Sequence, residues 1–288
     1  SDGIYITPRR VGEDGWELSI KALIDNADCS HKARFTLIDA DGNEKASTIA
    51  DLRPIISAKL PVEDPVLWNG RKNPYLYTVK CEIFDSTTQE VTDNIDIRTG
   101  LREYHIDSHK GFFLNGEHIK LQGVSRHQDR ENMGNAITEK QHAEDVKIIL
   151  DVGANSVRLA HYQQNSYFYD LCDESGLLVW AEVPVISRFS PKRNENAEQQ
   201  LVELIKQNYN HPSIFCWGIE NEITIAGSAS KKLIIFLKHM HKVARHLDPT
   251  RYTTCAQLTM CPVNSPLNHI TDIIGYNHYY GWYMGSCD

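Results

Sequence analysis

Ile214-Phe215-Cys216-Trp217-Gly218-Ile219-Glu220-Asn221-Glu222 is the stretch on which the reading of this chain turns. A short, unbroken apolar run ends in an Asn–Glu pair, as a buried strand does where it hands over to a loop. In a parallel α/β barrel the chemistry sits at the C-terminal ends of the strands, so a carboxylate at Glu222 is in a catalytic position. The plain alternative is that Glu220 and Glu222 are two solvated acids near a strand end. The surrounding sequence decides between these readings.

Outward from that strand, short apolar runs alternate with helical patterns. Strands are expected at 118–124, 155–159, 177–183, 213–219, 252–256 and 272–276, and helices at 138–150, 166–174, 197–207 and 230–247. Thr138 supplies a cap to the first helix, and Gly153 a stop. Repeated βα units imply a parallel sheet, either open or closed. Six strands are counted where a closed barrel has eight. The expectation for residues 99–288 is therefore an α/β (TIM-type) barrel, incomplete in this chain, with its first and sixth strands as unpaired, association-prone edges.

Residues 1–98 follow another pattern. Segments 16–24, 32–38 and 75–85 alternate apolar and polar side chains, and Asp41-Gly42 is a hairpin turn signal. Short strands separated by Gly, Pro and Asn indicate a β-sandwich. Nothing in it groups catalytic residue types, so it reads as support.

Composition narrows the function. The chain of 288 residues carries a net charge of −8 with no basic cluster. That argues against a nucleic-acid surface and for a small neutral or cationic ligand. No apolar run approaches the roughly 18 residues that span a bilayer, so no membrane partner is expected. Ser1-Asp2-Gly3 carries no signal peptide, as a processed N-terminus would not, which leaves the compartment open. The seven cysteines, Cys29, Cys81, Cys172, Cys216, Cys255, Cys261 and Cys287, show no CxxC spacing. They read as thiols, not as a disulfide or zinc framework, with a Cys29–Cys81 bridge as the minor alternative.

Polar residues collect at the ends of five strands: Ser125 to Asp129, Arg158 to Tyr162, Trp180 to Glu182, Asn221-Glu222, and Asn277 to Tyr283. The fifth strand, ending near Gln257, is the exception. Glycoside hydrolysis suits this collection. It needs one carboxylic acid to protonate the leaving oxygen and usually a second carboxylate as nucleophile or base. Aromatic faces pack on the sugar ring, while His, Asn and Arg bond its hydroxyls.

Four blocks resemble signatures of glycoside hydrolase family 2: Gly123-Val124-Ser125-Arg126-His127, Asn155 through Tyr162, Tyr169 through Leu177, and Asn210 through Ile214. Trp217-Gly218-Ile219-Glu220-Asn221-Glu222 resembles that family's acid/base block. Pro74-Tyr75-Leu76-Tyr77 resembles the end of its immunoglobulin-like domain, and Phe113-Leu114-Asn115-Gly116 the lead-in to its barrel. The resemblance implies that Glu222 is the general acid/base and that Asn221 bonds the sugar 2-hydroxyl. It implies that His127 and His161 contact sugar hydroxyls, and that Arg158 and Tyr279 orient the nucleophile and keep it ionised. Asn277 belongs to the same substrate-binding set, and Trp282 and Tyr283 to a Tyr-Tyr-Gly-Trp-Tyr segment of the glucuronidase-like branch. Where some family galactosidases hold magnesium with a Glu and a His two residues apart, this chain has Ile186 and Arg188. No such metal and no cofactor are expected. The family's nucleophile, a glutamate on a seventh strand, and its N-terminal sugar-binding sandwich are both absent from the 288 residues, so a piece of a longer enzyme is expected, inactive by itself. Glu220 reads as structural, packed or paired near the barrel wall, and Glu182 as a paired acid or an orienting one.

The leading expectation is a retaining β-galactosidase, because Arg126 through Asp129 and His161-Tyr162 look closer to that branch. A β-glucuronidase or β-mannosidase of the same family is the alternative, as is a non-catalytic sugar-binding or scaffold module. A histidine-rich metal hydrolase on His127, His161 and Glu182 finds no HxH or HExxH spacing among those residues to support it. The expected partner is a carbohydrate substrate, with homo-oligomer formation left open.

Overall fold

The computed structural model describes residues 3–12, 15–283 and 285. Cys287, counted above among the thiols, lies outside them. The alternation in the first hundred residues builds strands β1 Ile4–Val11, β2 Gly15–Leu23, β3 His31–Ile38, β4 Glu44–Asp51, β5 Ile55–Glu63, β6 Trp68–Asn69, β7 Asn73–Pro74, β8 Tyr77–Asp85 and β9 Val91–Thr99. Two antiparallel sheets result, ordered β1-β2-β5 and β4-β3-β8-β9. In β2 every second side chain (Trp16, Leu18, Ile20, Ala22) is buried. They meet Phe35, Leu37, Val79 and Ile97 in one apolar core, as two facing sheets with a period of two require. Cys81 lies in that core and Cys29 on the surface, both as free thiols.

A small antiparallel sheet follows, β10 Tyr104–Asp107, β11 Gly111–Leu114 and β12 Glu117–Ile119. It corrects the expected strand at 118–124. Asn115 and Gly116 both have positive φ (51° and 81°), the backbone of a two-residue mirror-image turn. That turn folds residues 117–119 back onto β11, and the chain re-forms a strand only at Gly123. The Asn115 side chain anchors the turn. Its Nδ2 donates to Trp68 O at 3.0 Å, and its Oδ1 accepts from Glu103 N at 3.0 Å.

From there the chain runs β13 Gly123–Arg126, α1 Glu139–Asp151, β14 Ser156–Leu159, α2 Ser166–Ser175, β15 Leu178–Glu182, α3 Asn194–Asn208, β16 Ile214–Asn221, α4 Lys231–Leu247, β17 Tyr252–Leu258 and β18 Ile273–Asn277. The six strands form one parallel sheet in sequence order, a curled part of a barrel with β13 and β18 outermost among the described residues. Helix α3 begins at Asn194, ahead of the expected 197, because the short turn Pro191–Arg193 leads directly into it. The outward strand residues Val157, Leu159, Val179, Ala181, Trp217 and Ile219 pack against helix residues such as Phe168, Leu201, Leu237 and Met240. On the inner face Trp180 dominates. Two glycines make room for it: a Cβ at Gly218 would stand 2.6 Å from Trp180 Nε1, and one at Gly275 would stand 2.7 Å from Trp180 Cη2.

Buried and half-buried hydrogen bonds join sandwich and barrel. Trp68 Nε1 donates to Asp173 O at 2.9 Å, and Arg102 Nε to Pro212 O at 3.0 Å. The Asn210 amide pairs with the backbone of Ile4 and Ile6 at 2.8 and 2.9 Å. Among the described residues, no helix is long and apolar enough to cross a membrane.

Candidate active site

Strand β16 is buried along its whole length, and it runs two residues further than its apolar pattern suggests. Between Gly218 and Asn221 its pairing with β17 slips. At Glu222 the backbone leaves the strand with φ +48°, a left-handed conformation uncommon outside glycine. The slip and the left-handed residue together present Asn221 and Glu222 side by side at the C-terminal rim, where simple alternation would send them to opposite faces. The Glu222 backbone is held at both ends: its N–H donates to Ala256 O at 2.8 Å, and its carbonyl accepts from Ile225 N at 2.9 Å.

Around this pair the rim groups form one network. Tyr279 donates to Glu222 Oε1 at 2.6 Å, and Asn277 Nδ2 donates to the same oxygen at 2.9 Å. Asn277 Nδ2 also reaches Asn221 Oδ1 at 2.9 Å, while Asn277 Oδ1 accepts from Arg158 at 2.8 Å. Arg158 is the hub. Its guanidinium donates to Asn221 Oδ1 at 2.7 Å and to Glu182 Oε1 at 2.5 Å, and it lies 4.6 Å from the centre of the Trp180 ring. Glu182 is 1% exposed and also meets His161 Nδ1 at 2.6 Å. That contact draws the ring proton to Nδ1 and leaves Nε2 for a ligand. The Ala160–His161 peptide is cis.

Four of the residues singled out in the sequence thus join Glu222 directly or through one partner, Asn221, Arg158, Asn277 and Tyr279, and His161 joins one step further out through Arg158 and Glu182. His127 stands beside them, exposed, with its ring edge-on to His161 at 5.5 Å. Trp282 is not brought in. It is 78% exposed, and its ring meets Tyr283 at 6.0 Å on the surface of the loop. The roles implied for Arg158 and Tyr279 meet different partners here: Arg158 pairs with Glu182 and Tyr279 bonds Glu222. Burial and the bond to Glu222 push the Tyr279 phenol up to about 12, so it stays a donor at neutral pH. Glu182 and Trp180 are the functional groups that the sequence reading underused. Their signal was the placement of Trp180-Ala181-Glu182 at a strand end, and what they bond to depends on strand register.

Ile186 pairs with Asn221 through a backbone bridge, and Arg188 is exposed. The one group of potential metal ligands among the described residues is Asp170, Asp173 and His211. All three donors already have protein partners: Arg98 holds Asp170, while His211 Nδ1 and Ser213 N hold Asp173. At the rim, Glu222 can exchange a proton with a bound molecule, and Asn221, Asn277, His161 and His127 can bond hydroxyls.

Residues 2–102 match the family model "Glycosyl hydrolases family 2", and residues 106–287 match "Glycosyl hydrolases family 2, TIM barrel domain". A β-glucuronidase of Bacteroides fragilis is 38% identical over 299 residues, which take in 98% of this chain and 42% of that protein. A β-galactosidase of Thermoanaerobacter pseudethanolicus is 30% identical over 256 residues, 87% of this chain and 33% of its own length. The crystal structure of an FMN-binding β-glucuronidase from Facaelibacterium prausnitzii L2-6 superimposes with a TM-score of 0.94 at 42% identity. That match covers 99% of this chain and 44% of the other. The chain spans less than half the length of these relatives.

Proposed function

The chain belongs to glycosyl hydrolase family 2, and on that premise we propose a retaining β-glycosidase that acts on β-glucuronides, with Glu222 as general acid/base. The observation that carries the reading is the asymmetry of the Glu222 carboxyl. Oε1 accepts from both Tyr279 and Asn277, while Oε2 takes no donor among the described residues. The open Oε2 is the oxygen through which a proton passes to a bound molecule. Glu222 gives it to the departing glycosidic oxygen, then recovers one from the water that attacks the glycosyl–enzyme intermediate. Asn221 shares its Oδ1 between Arg158 and Asn277, which leaves its Nδ2 to donate to a sugar hydroxyl. Trp180 lies beneath the guanidinium of Arg158 and closes the inner face below the rim.

Retention needs a second carboxyl about 5–5.5 Å from the first. Glu182 is committed to Arg158 and His161, and Glu220 to a backbone amide. The nucleophile is assigned to the part of the family's length that this chain does not span. Such hydrolysis uses no redox group, so the flavin named for one relative has no step in it. The glucuronide specificity replaces the galactoside expected from the histidine blocks. Its support is the greater similarity to relatives named β-glucuronidase, since His127 and His161 can serve hydroxyls common to both sugars.

Two measurements on the full-length protein test this. Glu222→Gln should slow substrates with poor leaving groups by about 10²–10⁴-fold and spare activated aryl glycosides. Equal loss on both would remove Glu222 from the acid role. Across nitrophenyl β-glucuronide, β-galactoside and β-mannoside, kcat/KM should favour the glucuronide by about 100-fold or more. Preference for the galactoside would restore the earlier expectation.

A further inference from the structure

Glu220 is 1% exposed in a wall that needs no acid for packing, and one of its oxygens does a specific task. Its Oε2 accepts the Ile223 N–H at 3.1 Å, so the side chain reaches around Asn221 and Glu222 to the first amide beyond them. That amide follows directly on the left-handed residue, Glu222. Its other oxygen, Oε1, is buried without a hydrogen-bond partner among the described residues.

We propose that Glu220 is a positioning residue for Glu222, its carboxyl clamping the Ile223 amide and so fixing the backbone turn on which Glu222 is presented. The inference rests on the acid/base reading of Glu222 given above. Without the clamp, the φ of +48° at Glu222 is held only by its own two backbone bonds, and a left-handed glutamate relaxes readily. The clamp works in the neutral acid. An ionised carboxylate this deeply buried is costly, and burial pushes the Glu220 carboxyl up to about 8, the Ile223 amide and the Cys255 thiol offsetting only part of that rise. The groups facing it are Cys255 on β17, Glu182 on β15 and Arg158 on β14. The Cys255 thiol is itself pushed up to about 12 by burial and stays protonated. Glu182 opposes a second negative charge nearby and Arg158 favours it, the former effect being the larger. A glutamine would serve the clamp equally, since an amide oxygen accepts the same N–H.

The experiment compares Glu220→Gln with Glu220→Met, which keeps the volume and lacks the acceptor, in the full-length protein beside wild type and Glu222→Gln. Glu220→Met should lower kcat on poor-leaving-group substrates by about 100-fold, the effect of a displaced acid, while activated substrates lose much less. Glu220→Gln should keep the wild-type dependence on leaving group. Hydrogen exchange of residues 220–226 should quicken in Glu220→Met and stay slow in Glu220→Gln, a readout that needs no turnover. Equal loss on both substrate classes in Glu220→Met, a Glu220→Gln that behaves like it, or unchanged exchange in Glu220→Met would each overturn the clamp. If Glu222→Gln shows no leaving-group signature while exchange responds as expected, the acid/base reading fails and the clamp stands.

Discussion

At the scale of single residues, the chemistry of this rim depends on which oxygen of each carboxyl is already spoken for. Glu182 has both oxygens occupied and cannot leave its place without stranding Arg158. Glu222 has one occupied and one open, which is the condition for a group that both holds position and exchanges a proton. Glu220 has one on a backbone amide, with the Cys255 thiol facing its buried carboxyl, and its elevated titration has a consequence for stability. Folded Glu220 keeps its proton up to about pH 8, whereas in the unfolded chain it ionises near the ordinary 4.5. Between those values the unfolded state binds fewer protons, so stability falls as pH rises through that window and is level beyond it. In Glu220→Gln this component disappears. The difference in Tm between variant and wild type should therefore grow in the variant's favour from pH 5 to pH 8, as followed by calorimetry; a constant difference would contradict the assignment of a neutral Glu220.

At the scale of elements, β15, β16 and β18 are fitted to one ring. Trp180 stands on β15, and the two strands that it faces carry glycine where its edge arrives, Gly218 and Gly275. Gly218→Ala places a methyl 2.6 Å from both the indole nitrogen and Glu182 Cγ. Overpacking of this kind costs about 1–3 kcal/mol. The larger effect should be on activity, because the ring displaced is the one beneath Arg158. A lowered Tm with kcat unaltered would show that the ring moves without disturbing the rim. The alternation of strands and helices, and the Asn221-Glu222 rim, were legible because they are written in local periodicity. The strand ending at Ile119 was not, since 118–124 reads as one run, and only the pairing of residues 117–119 with β11 shows that the barrel strand begins at Gly123. Nor were the partners of Arg158, Tyr279 and Glu220. Each lies on another strand, and the register slip at Gly218–Asn221 that brings Glu222 to the rim leaves no mark in residue order.

At the scale of the whole molecule, the sandwich and the half-barrel share a polar seam. Arg251 lies on its barrel side, 3% exposed, donating to Asp248 Oδ2 and to the carbonyls of Ile214 and Tyr209, each at 2.8 Å, while Arg102 donates to the same Ile214 carbonyl at 3.3 Å. Asp248 also receives Trp217 Nε1 at 2.9 Å from the strand that carries Glu222. Breaking a buried pair from one side costs about 3–5 kcal/mol. Asp248→Asn should thus lower stability far more than the removal of the exposed pair Arg10–Glu103, worth about 0–1 kcal/mol. Chemical denaturation of both variants would measure the contrast, and similar midpoints would mean that the buried Asp248–Arg251 pair holds the barrel no more firmly than a surface pair.

The hairpin turn at Asn115-Gly116 carries a further consequence, for the lifetime of the protein. Asn-Gly is the sequence at which a side-chain amide is most readily attacked by the following backbone nitrogen and converted to aspartate or isoaspartate. Folded, the Asn115 amide is tied at both ends and shielded from that attack. Unfolded, it is free to age. An acid at that position would then turn oxygen toward Trp68 O and Asn69 Oδ1, two acceptors where the amide now donates. The seam beside Trp68 would not re-form, and each excursion out of the native state would leave some molecules permanently marked.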